Sequence, residues 1–132
     1  MSQVSSPYRR KLAILLWSAT SERPELCATP FVHAAAAAAF DCEVEMHFAG
    51  PTVRLLVSGV ASALRPWPGS DAAIYDMMQQ AARAGVSFLA CAMALKSLID
   101  PQEVLIAEYG GSAGASAFVD RVLDPEWSTL VF

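Results

Sequence analysis

The sequence predicts an α/β fold: a three-layer sandwich around a mostly parallel sheet of about five strands. Three observations carry that expectation. Residues 11–17 (KLAILLW) are a continuous apolar run, the pattern of a strand buried on both faces. Residues 34–39 are six consecutive alanines, the best helix formers. Further along, short apolar or alternating runs take turns with helix-forming segments, as in strands joined by crossover helices.

Each element follows from local chemistry. After the first strand, residues 18–24 (SATSERP) hold helix N-cap residues and a proline suited to a helix start. A helix is expected over 25–40; Pro30 falls inside it, so it begins near that proline or kinks there. Residues 43–48 (EVEMHF) alternate strictly, with Val44, Met46 and Phe48 on one face and Glu43, Glu45 and His47 on the other. The wetter second face suggests an edge strand, or one beside an opening. Gly50-Pro51 ends that strand, and residues 53–64 read as an apolar helix weakened by Gly59. A Pro/Gly loop carrying Trp67 follows at 65–70, where the tryptophan suits an interface anchor better than a lid. Residues 71–84 place Ile74, Met77, Met78 and Ala81 at helical spacing, and Gly85 is the expected C-cap residue. Residues 86–90 (VSFLA) form a short strand, 92–98 the next helix and 103–108 (EVLIAE) a further strand. Gly110-Gly111 then turns into a helix over 113–123, and residues 129–132 (TLVF) close the sheet. The arrangement expected is flavodoxin-like, with right-handed crossovers and ligands held beyond the carboxyl ends of the strands. The Gly50-Pro51 loop and Cys91 occupy two such ends.

Composition narrows the function classes. The 132 residues fit one domain, 11–132, behind a polar tail of residues 1–10 expected to be disordered. With 55% hydrophobic and only 17% charged residues, against roughly 25% charged in an average chain, global disorder is excluded. The shortage of charge also points to surface covered by another subunit. The net charge of −4, with no basic stripe, argues against nucleic acid as a partner. Arg9-Arg10-Lys11 precedes an apolar stretch shorter than the roughly 7–15 residues of a secretory h-region, and residues 86–95 are too few to span a bilayer. No membrane partner is expected.

Three cysteines, Cys27, Cys42 and Cys91, make an odd set without CxxC or metal-ligand spacing. They exclude a disulfide scaffold and read as reduced thiols, which places the chain in the cytoplasm. No motif calls for a cofactor or a metal: there is no GxSxG elbow, Walker A sequence or HExxH. The run Gly110-Gly111-Ser112-Ala113-Gly114 lacks the Lys-Ser/Thr ending of a phosphate loop and reads as a tight turn. Cys91 is the sharpest candidate for chemistry. It stands between a strand and the helix that follows, where backbone N–H groups favour an anion, and the thiolate is the reactive form of cysteine. A buried, inert cysteine is the equal alternative. His33 and His47 are the candidate partners for a Cys–His pair with Cys91. Cys27 and Cys42 suit structural roles, with Cys27 a possible resolving thiol if the chemistry is redox.

Residues 74–98 (IYDMMQQAARAGVSFLACAMALKSL), the Cys91-x-Met93 spacing, the tail GGSAGASAFVDRV closing on TLVF, and HFAGPTVRLL after the second strand together resemble the DsrE/DsrF-like family of small sulfur-trafficking proteins. The resemblance spans residues 11–132. It implies a sulfurtransferase-related role, with sulfur held as a persulfide on Cys91 and relayed to a partner protein. It also implies a homotrimer or homohexamer, a sulfur donor or acceptor protein as partner, and a pocket around Cys91 that Gly50, Pro51, Met93 and His47 are candidates to line. The alternative is a non-catalytic oligomeric module in which Cys91 merely lines a small-ligand pocket.

Overall fold

In the computed structural model, which describes residues 11–132, the apolar runs assemble into one five-stranded sheet. The strands are β1 (Lys11–Leu16), β2 (Glu43–Phe48), β3 (Ser87–Ala90), β4 (Tyr109–Ser112) and β5 (Trp127–Val131). Their order is β4-β3-β2-β1-β5 and every neighbouring pair is parallel. The helices are α1 (Ala28–Ala39), α2 (Ile74–Arg83), α3 (Ala92–Leu98) and α4 (Ala115–Leu123). The expected tail at residues 1–10 lies outside the described residues.

The topology follows from handedness. The chain steps from β1 to β4 in one direction, then returns across the sheet to lay β5 beside β1. Right-handed crossovers in opposite directions must lie on opposite faces. Accordingly α1 and α2 pack together on one face, and α4 lies against β1 and β5 on the other. This is the doubly wound plan of the flavodoxin-like fold. The second neighbour of β1 is here the last strand, where the flavodoxin order 2-1-3-4-5 has β2 and β3 on either side.

The main core lies under α1 and α2. Ile14, Leu16, Val44, Met46, Phe48 and Phe88 of the sheet meet Phe31, Ala34, Ile74, Met78 and Ala81 of the helices. The rings of Phe31, Phe48 and Phe88 sit 5.4–6.1 Å apart in tilted and edge-on contacts, a favoured aromatic geometry. The opposite face buries a much smaller set, Ala13, Phe118 and Trp127, with Leu15 packed against it. Pro30 falls in the first turn of α1, where its missing N–H would have had no helical partner, so the helix neither breaks nor kinks there. Gly85 takes φ +99° after α2, as expected of a helix stop.

Three elements differ from the sequence-based expectation. Residues 53–64 do not form an α-helix. They fold as 3₁₀ helices, Gly50–Leu56 and Ala61–Ala63, separated at Gly59, whose φ is +91°. Residues 103–108 add no strand to the sheet. Val57 and Leu105 make one isolated antiparallel bridge, framed by Ser58 N–H donating to the Val104 carbonyl and Ile106 N–H to the Leu56 carbonyl. The bidentate Arg54–Glu103 ion pair holds the same crossing. Gly110-Gly111, expected as a turn, lies in β4 itself. The register jumps from Phe88↔Tyr109 to Leu89↔Gly111, leaving Gly110 as a bulge. A Cβ on Gly110 would stand 3.1 Å from the Phe88 carbonyl oxygen, so glycine is what lets the strands close. Finally, β2 is the middle strand and not an edge; its polar face exists because it borders an opening, the other alternative the alternation allowed.

Candidate functional site

That opening is a pocket of about 300 Å³ at the carboxyl ends of β1 to β4, on the α4 face of the sheet. Strand alternation puts Cys91 there. Phe88 and Ala90 face the main core, so Cys91, one residue past β3, points the other way and lines the pocket half-buried. Its N–H donates to the Phe48 carbonyl at 3.2 Å, which ties it to the end of β2. The rest of the lining is mostly apolar: Leu15 of β1 with Trp17 just past it, Phe48 of β2 with Ala49 just past it, and Phe118 and Val119 of α4. Gly50 closes one side with φ +56° and would press a Cβ to 3.4 Å from the Trp17 ring. Ala113, Gly114 and Ala115, where β4 hands over to α4, close another.

His47 supplies the polar lining. Its side chain alternates with Phe48 away from the main core and is 3% exposed. Nε2 lies 3.1 Å from Glu45 Oε1. Glu45 in turn accepts from Arg121 of α4, through Nε to Oε1 and Nη2 to Oε2, each at 3.1 Å. The Arg121 guanidinium also lies over the Trp127 ring at 4.3 Å. Burial works to raise the Glu45 pKa, but the hydrogen bonds and charges of Arg121 and His47 outweigh it and hold the carboxyl below its ordinary range. Phe118 sits edge-on to the imidazole at 5.3 Å. Among the described residues, His47 Nδ1 is a buried side-chain nitrogen with no hydrogen-bond partner.

The sequence candidates thus separate. Cys91, His47 and Gly50 come together around one pocket. Pro51 and Met93 do not line it: Pro51 is exposed at the start of its 3₁₀ helix, and Met93 is 76% exposed on α3. His33 lies on α1, at the opposite face of the sheet, with Nδ1 on the Thr29 carbonyl and its ring against Phe132. Cys27 is fully buried and donates to the Thr20 carbonyl at 3.2 Å; burial, reinforced by the Glu25 charge, pushes its pKa up to about 11. Cys42, half-buried, packs against the main core. None of the three cysteines is in a disulfide. Glu45 and Arg121 escaped the sequence reading because they are 76 residues apart; the available signal was a glutamate two positions before a histidine on one strand face. No group of three His, Cys, Asp or Glu among the described residues is placed to hold a metal. No helix among them is long and apolar enough to cross a membrane.

Comparison with known proteins adds two findings. The model of the DsrE/DsrF-like family matches residues 11–126. Among solved structures, the crystal structure of the YchN protein from E. coli superposes with a TM-score of 0.70 at 12% identity, covering 95% of this chain and 100% of that one. At that identity the likeness is one of fold. No curated protein matches the chain.

Proposed function

The chain belongs to the DsrE/DsrF-like family, and from that premise we propose that it is a cytoplasmic sulfur carrier or sulfurtransferase subunit that holds sulfane sulfur as a persulfide on Cys91. Family membership supports a sulfur-relay-related role in general. The observation that carries the finer reading is the position of Cys91: among the three thiols it alone lines the pocket at the strand ends. The Cys91 thiolate attacks the outer sulfur of a donor R–S–SH, the donor S–S bond breaks, and R–S⁻ leaves and takes a proton. The products are Cys91–S–SH and R–SH, with no net oxidation. Relay to an acceptor thiol is the same exchange run onward. Three thiols outside any disulfide fit a reducing compartment.

We propose further that the working form is a homo-oligomer, a trimer or hexamer. Val122 and Leu123 of α4 and Val131 of β5, 50%, 77% and 65% exposed, are the apolar side chains this reading assigns to the subunit contact. A mostly apolar pocket also suits a second reading, a binding module in which Cys91 is lining and not nucleophile. Mass spectrometry after incubation with a sulfane-sulfur donor separates the two. The carrier reading expects sulfur on Cys91 and none in Cys91→Ser; an unloaded Cys91 favours the binding module.

A further inference from the structure

His47 has one ring nitrogen held by Glu45 and the other without a hydrogen-bond partner among the described residues. The Glu45 carboxylate, kept ionised by Arg121, can only accept, so His47 Nε2 must carry the proton between them. The neutral ring then has its lone pair on Nδ1, the buried nitrogen without a partner among the described residues. The two nitrogens flank Cε1 and point away from the ring in different directions. With Nε2 turned to Glu45, Nδ1 is left for another partner, and the ring lines the same pocket as Cys91. Register places His47 beside Leu89, two residues before Cys91 on the same face. Strand spacing and rise put the two backbones on the order of 8 Å apart, within side-chain reach. Leaving a buried ring nitrogen unsatisfied is costly, and a ligand proton would relieve that cost.

We infer that His47 is the general base of this site: its Nδ1 takes the Cys91 thiol proton as the thiolate attacks, and returns it to the departing donor thiolate. Glu45 and Arg121 are positioning residues: Glu45 fixes the ring and Arg121 fixes Glu45. The inference rests on Cys91 being the sulfur-carrying thiol. Each cycle moves one proton from Cys91 Sγ to Nδ1 and from Nδ1 to R–S⁻, so the ring ends as it began. Catalytic hydrogen bonds in unliganded sites are commonly long and tighten in the complex. The groups facing the ring are Glu45 from its own strand, Leu15 and Leu89 from the flanking strands, and Phe118 from α4, with Arg121 reaching it through Glu45. Charge control of the ring therefore comes from the Glu45–Arg121 pair and from Cys91.

The test is the rate of Cys91 alkylation by iodoacetamide against pH, for the full chain and its His47→Gln and Glu45→Gln variants. His47→Gln is expected to slow alkylation near neutral pH by at least about tenfold and to change the shape of the pH profile. Glu45→Gln, which keeps the base but releases its ring, should give an intermediate rate and alter the same profile. Identical rates and profiles in wild type and His47→Gln overturn the inference. Should His47→Gln fail to fold, ¹⁵N NMR of the wild-type imidazole decides: a neutral ring protonated on Nε2 supports it, and one protonated on Nδ1 overturns it. Sulfur loading separates the two readings. If Cys91 loads equally fast in His47→Gln, the base falls and the carrier stands; if wild-type Cys91 never loads while alkylation still depends on His47, the carrier falls and only the proton transfer from Cys91 to His47 stands.

Discussion

Cys27 and Cys91 carry the same side chain in opposite settings. Cys27 sits in the main core with its thiol on a backbone carbonyl, and ionising it there would strand a charge without solvent. Its raised pKa means that whatever stability it lends is complete below its unfolded value and fades as pH rises toward about 11. Cys91 opens to the pocket. In native protein near pH 8, an alkylating reagent should therefore mark Cys91 and leave Cys27 intact until denaturant is added, as peptide mapping would show. Marking of Cys27 at the Cys91 rate would contradict this assignment. Glu45 titrates the other way. Its folded pKa lies below the unfolded one, so its contribution is present above the ordinary carboxylate range and is lost as pH falls through the folded value. Denaturant midpoints measured from pH 6 down to pH 3 should fall less steeply in Glu45→Gln than in wild type.

Among the elements, β4 makes the sharpest structural prediction. Gly110 bulges where any Cβ would meet the Phe88 carbonyl, so Gly110→Val should cost about 1–3 kcal/mol in urea unfolding. Gly114, with φ −93° and nothing within 4 Å of a built Cβ, is the control where neither space nor backbone resists a side chain. The same strand shows why part of the fold was hidden in the sequence. Runs such as KLAILLW and the alanine block announce themselves because period and propensity agree with their place in the sheet. YGGS does not: its pairing depends on Phe88 approaching from β3, a contact no local pattern encodes. EVLIAE has the composition of a strand, yet only Leu105 bridges, because the sheet edge is taken by β4 and the 3₁₀ segment claims Val104 and Ile106 instead. At the site, Cys91 and His47 were visible as a strand-end cysteine and a polar-face histidine. Their convergence, and Arg121 behind them, waited on β2 being central and on the crossover that brings α4 to its face.

The molecule as a whole is lopsided. One face of the sheet is sealed by α1 and α2, while the other carries α4 over a small cluster and leaves the pocket beside it. A single reversal of chain direction at β1 produces both the thin cover and the site, as expected where ligands bind at the strand ends of doubly wound sheets. The bare valines and leucine on that side are the proposed subunit contact. Sedimentation should give three or six times the chain mass, and a Val122→Asp, Leu123→Asp pair should shift it toward the single chain, with little loss of intrinsic stability because both sites are exposed. The central claim is that the pocket thiol carries sulfur. Peptide-resolved mass spectrometry after brief exposure to a sulfane-sulfur donor tests it most directly. Gains of about 32 Da, one sulfur atom each, should appear on the Cys91 peptide and be removed by a reducing thiol. Sulfur on Cys27 or Cys42 with Cys91 unmodified would contradict the account.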